Sequence, residues 1–498
     1  MAATSAISQV PADVIAHILS NLEAIEDLAV AIRSHRIFLN AFNEGPYSIA
    51  RAIVKSQIPS DATPLVAALL ESSRIDHGAG IDISREILDR LTSAISDPNQ
   101  TTLFYVSKLS LSELAFCSRI YATAESLAYK MAAEVKPIAI QKLDFGCSTL
   151  QHLTSTEKAR LVRAFLRFQL LCDLFCPPDS ACPLSNDGNS EERAMENKLR
   201  FFSMYSPWVN EHLIGFFAKA TFDELAWHDV DWGEMPVDNS IEPDENFWFQ
   251  GFLSRGLGFL SDISRTDSYV SWARLLRLGG DLVRDFKFPS QQFYYRFPDQ
   301  RFVEAIGLPD LDTPLQDWTA GQLRSLSQRG NGSRDSTESS SYSLWFGANA
   351  GRSIFGESSD VQEMDDDTNL WQLGYNVWDW DFQNTTSRRP LSIRKACGEV
   401  RSMPPPFKPD MQFNDEVMLR SQRQRSDIYL AGGCGYWPMG GAIDFGGIQG
   451  LSPDKIADLL YKWGIDMDMQ INSTQSIVML PRSPHYADSA SHRQRVDS

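Results

Sequence analysis

Basic residues are in short supply. The 46 Lys and Arg against 64 Asp and Glu leave a formal net charge of −18 over 498 residues, which argues against nucleic acid or an anionic membrane as the general partner. Cysteine is scarce too, with seven residues at irregular spacing, the usage of reduced thiols rather than of a disulfide framework. Cys172, Cys176 and Cys182, with Cys147 and His152 upstream, lack the CxxC spacing of a zinc site, and the first two fall one turn apart on an apolar helix. They read as packing groups. No run approaches 18 consecutive apolar residues, and the first Lys or Arg is Arg33, so neither a membrane span nor a signal peptide is expected. The cytoplasm or nucleus is the expected compartment, and there the sequons at Asn99, Asn331, Asn384 and Asn472 carry no meaning.

The arrangements that enzymes use are missing as well. There is no Gly-Lys dipeptide and hence no Walker loop, and Gly432-Gly-Cys-Gly435 lacks the third glycine of a dinucleotide fingerprint. No Gly-x-Ser-x-Gly elbow and no His-Glu-x-x-His helix occur. The best candidate for a divalent cation is Glu224-x-x-x-His228-Asp229-x-Asp231. It lies inside Asp223 to Glu245, which holds nine carboxylates and no Lys or Arg, and such runs are ordinarily solvated loops. Glu357 to Asp367, with six carboxylates, reads the same way. No catalytic residue, metal or cofactor is expected. Fixed-period repeats are also absent.

What the chain does contain is apolar residues at helical spacing. With 43% hydrophobic and 11% aromatic residues it can bury a large core. The first 45 residues carry three short amphipathic segments. Pro11 and Asp13 sit where a helix begins, since proline's missing N–H costs nothing in the first turn and a carboxylate there faces the positive end of the helix dipole. Val14, Ile15, Ile18, Leu19 and Leu22 follow as one stripe. Ile25, Leu28 and Ile32 form a second stripe, and Ile37, Phe38, Ala41 and Phe42 a third, closed by Gly45-Pro46. Three such short helices need cover from elsewhere to hide these stripes.

Helices are predicted at roughly 47–55, 63–72, 84–95, 111–133 and 155–176, and again from Glu191 to Phe217. Ser110 and Glu113 stand at capping-box spacing before the fourth of these. Phe247 to Leu278 is aromatic and reads as buried helix. Ser325 to Ser343 is dense in serine and glycine, the composition of a flexible linker. A last helix starts at Ser452-Pro453-Asp454 and carries Ile456, Leu459, Leu460 and Trp463 on one side.

The opening Val10-Pro11-x-Asp13-Val14-Ile15, with Ile18-Leu19-x-x-Leu22, Asp27-Leu28 and Arg36-x-Phe38, resembles an F-box, the trihelical module that docks substrate receptors on the Skp-type adaptor of cullin-RING ubiquitin ligases. Phe38 or Phe42 stands where that family often has tryptophan. Two further stretches look like those of a large uncharacterised fungal group of F-box-like proteins. One is Glu157 to Phe175, which closes with Arg167-Phe-Gln-Leu-Leu-Cys-Asp-Leu-Phe175, and the other is Leu370-Trp-Gln-Leu-Gly-Tyr-Asn-Val-Trp-Asp379, with Leu373 replacing the group's first tryptophan.

The expected fold is mainly α, with an F-box-like module over 8–45 continuing into a large helical domain over 46–322. A flexible linker over 323–345, an irregular region over 346–480 with one helix near 452–463, and a disordered tail over 481–498 complete the expectation. The resemblance implies a non-enzymatic interaction protein, a substrate receptor of a Skp-cullin-F-box ligase. In that role Pro11, Val14, Ile15, Ile18, Leu19, Leu22 and Leu28 would bury against the adaptor while the body holds a protein substrate. The alternative is a helical binding or scaffold protein whose F-box-like helices belong to its own core, with no ubiquitin role.

Overall fold

The computed structural model describes residues 10–74, 81–96, 106–143, 153–175, 188–206, 208–210, 212–213, 255–265, 315–327, 340–349, 370, 373–380, 427–428, 430–433 and 450–464, with isolated positions between them. The acid-rich run holding Glu224, His228, Asp229 and Asp231, the middle of the serine-rich stretch and the 481–498 tail lie outside the described residues.

Among the described residues the chain is helical, without a strand. The helices are α1 (Ala12–Ser20), α2 (Ile25–Ser34), α3 (Arg36–Glu44), α4 (Pro46–Gln57), α5 (Thr63–Ser72), α6 (Ile81–Ser96), α7 (Leu111–Leu143), α8 (Ser155–Phe175), α9 (Gly188–Ser203), α10 (Gly256–Arg265), α11 (Ala320–Ser327), α12 (Ser340–Asn349) and α13 (Pro453–Lys462). Several starts follow the local chemistry seen in the sequence. Pro46 and Pro453 occupy the first turn of α4 and α13. Ser110 and Glu113 close a reciprocal cap on α7, with the Ser110 amide donating to the Glu113 carboxylate at 2.7 Å and the Glu113 amide donating back to the Ser110 hydroxyl at 3.4 Å. α7 outruns its predicted end by ten residues and passes through Pro137. That proline removes one backbone bond, but Val135, Ala139 and Leu143 stay buried beside it, and their packing carries the helix on.

Among the described residues three hydrophobic cores result. The largest gathers α4 to α10, with α7 against α8 and α5 against α8 at its centre. A second, smaller core lies among α1 to α4. The third joins Ile428 to Ile456, Leu459 and Leu460 of α13.

Within the linker expected over 323–345 and the irregular region expected from 346, several described residues are helical and packed. α11 and α12 occupy both ends of the serine-rich stretch, and Leu344, Trp345 and Ala348 are buried in the largest core. So are Leu370, Leu373, Tyr375, Val377, Trp378 and Trp380. The physical reason is that serine content masks an apolar face: Tyr342, Trp345 and Phe346 recur at i, i+3 and i+4 between the serines.

Candidate docking face

The short helices α1, α2 and α3 form their small core with help from α4. Ile15, Leu19, Leu28 and Ala41 are buried there together with Ile49 and Ile53, while Leu22, Ile32, Ile37, Phe38 and Phe42 are only partly covered. α3 begins at His35, whose ring nitrogen Nδ1 accepts the Ile37 amide at 3.2 Å. Nothing in the sequence reading flagged that cap, because histidine is not among the usual capping residues.

The seven residues expected on a partner surface divide in two. Ile15, Leu19 and Leu28 are at most 3% exposed and already packed against other helices of the chain, so no docked partner reaches them in this conformation. Val14 and Ile18 are 44% and 51% exposed, and Pro11 is exposed with them. Leu22 is half-buried. The four stripe residues within α1 span more arc than one surface can cover, so they split into an inner pair, Ile15 and Leu19, and an outer pair, Val14 and Ile18, each at i, i+4 spacing, while Leu22 follows the helix end. Sequence reasoning missed two further outward aliphatic residues, Val30 of α2 and Leu39 of α3, 59% and 41% exposed. Their signal is the residue next to a buried or half-buried one on each short helix, which apolar content alone does not order.

A buried polar node fastens the module to the body, beside an exposed Arg119–Glu26 ion pair at 3.6 Å. The Ile25 amide at the start of α2 donates to the Ser118 hydroxyl of α7 at 3.1 Å. Ser118 donates in turn to the Gln57 side-chain carbonyl at 2.7 Å, and the Gln57 amide returns to the Ser118 carbonyl at 3.2 Å. Ser118 is fully buried, so this small network fixes the entry of α2 against α7 and the end of α4. Ile25 packs against both cores.

Within the body, the first half of α8 meets residues 377–379. α8 supplies Arg160, whose guanidinium donates to the Val377 carbonyl and to the Asp379 carboxylate, both at 2.8 Å. Glu157 accepts the Asp379 amide at 2.8 Å, the Thr154 amide at 2.9 Å and the Lys136 ammonium at 2.8 Å. Further along α8, Arg167 donates to the Val209 carbonyl at 2.9 Å and stacks 3.7 Å over the Tyr205 ring. Gln169 bonds Asp173 at 2.6 Å and accepts the Leu257 amide at 2.6 Å, and Ser72 donates to Asp173 at 2.8 Å. Each of these polar groups faces another element of the same chain. Their arrangement is that of a structural keystone, in which each of these side chains holds a partner within the chain.

A small apolar cavity of about 20 Å³ lies among Val54, Ile58, Val66, Val106, Leu109 and Cys117, room for roughly one water and no substrate. Burial pushes the Cys117 thiol up to about 12, with Arg74 opposing only in part, so at neutral pH it is a packed thiol and not a thiolate nucleophile. Among the described residues no group of His, Cys, Asp and Glu is arranged to hold a metal ion, and no helix is long and apolar enough to cross a membrane.

Comparison of the chain with protein-family models, with curated proteins and with solved structures finds no match.

Proposed function

We propose that this chain is a non-enzymatic interaction protein that docks through its N-terminal helices on a Skp-type adaptor and holds a protein substrate against a ubiquitin ligase. The observation that carries the reading is the outward pair Val14 and Ile18, with Pro11 beside it, on a helix whose inner side is already filled by Ile15 and Leu19. Burying a half-exposed Val or Ile is worth about 1 kcal/mol each, and a partner that also takes up the half-covered Leu22 and Phe38 gains more.

The second reading keeps these helices as part of the chain's own core. Its specific support is the Ile25–Ser118–Gln57 node and the sharing of Ile49 and Ile53 with α1.

Co-purification of the full chain with a Skp-type adaptor separates the two. The wild type is expected to bind, and Val14→Asp, Ile18→Asp is expected to lose at least tenfold in affinity with an unchanged circular dichroism spectrum. Absence of wild-type binding, or equal binding by the folded double variant, overturns the docking reading in favour of the own-core one.

A further inference from the structure

We draw no further inference here: the strongest candidate, the outward aliphatic surface that Val30 of α2 and Leu39 of α3 add to the N-terminal module, is unpartnered, and nothing in the structure shows what covers it.

Discussion

Ile18 and Leu19 are chain neighbours in opposite surroundings, one half in water and one at 1% exposure. Their substitution separates surface from core: Leu19→Asp places a carboxylate among Ile15, Leu28 and Ile53 and is expected to cost about 3–5 kcal/mol. Loss of the N-terminal helices by circular dichroism, or a comparable drop in melting temperature, checks it, while the same charge at Ile18 is expected to leave the fold intact. Gly256 is another residue whose identity is decided by its position. It opens α10 at φ +78°, and a Cβ there would press on the Gln169 carboxamide that holds the Leu257 amide. Gly256→Ala is expected to destabilise the chain by about 1–3 kcal/mol, read as a lower urea midpoint at constant slope.

At the scale of elements, α8 is the keystone. Its first turn repeats the reciprocal cap of α7, with the Thr154 amide donating to Glu157 at 2.9 Å and the Glu157 amide donating to the Thr154 hydroxyl at 3.1 Å. The Thr-x-x-Glu signature is present in the sequence. The second role of Glu157 is not, because Lys136 and Asp379 are far away along the chain. Lys136 and Glu157 are both almost fully buried, and removing one partner strands the other charge. Glu157→Ala is therefore expected to cost about 3–5 kcal/mol. Lys136→Met, Glu157→Gln is expected to recover only part of that in urea titrations, since it removes both charges but leaves one carbonyl oxygen for two amides, those of Thr154 and Asp379, which bond different oxygens of Glu157. Helix starts were legible because caps and first-turn prolines are local signals. The end of α7 was not, because the packing that carries it past Pro137 comes from other elements.

At the scale of the molecule, the body closes only when residues beyond the serine-rich stretch return to it. Leu344 and Trp345, then Tyr375, Val377, Trp378 and Trp380, fill the same core as Phe165 and Phe168. A chain ending at residue 338 is expected to lose cooperative unfolding and near-UV circular dichroism and to bind ANS. Among the described residues a chain lacking 450–498 loses the separate core of Ile428 and α13, and it is expected to keep the melting temperature of the body within about 2–4 °C. Composition placed the linker where serine is dense, and the core decided otherwise, since one Tyr-Leu-Trp-Phe face outweighs its polar neighbours once a partner surface is available.

The sequence by itself determined the all-helical class, most helix starts and the existence of an apolar N-terminal module, because spacing, capping residues and prolines act within a few residues of one another. Only the tertiary structure decided which apolar residues of α1 face outward, and that Glu157, Arg160 and His212 bond Ser341 and residues 376–379 more than a hundred residues away. Those facts depend on which surfaces meet, and burial is a property of the assembled chain that no local window contains.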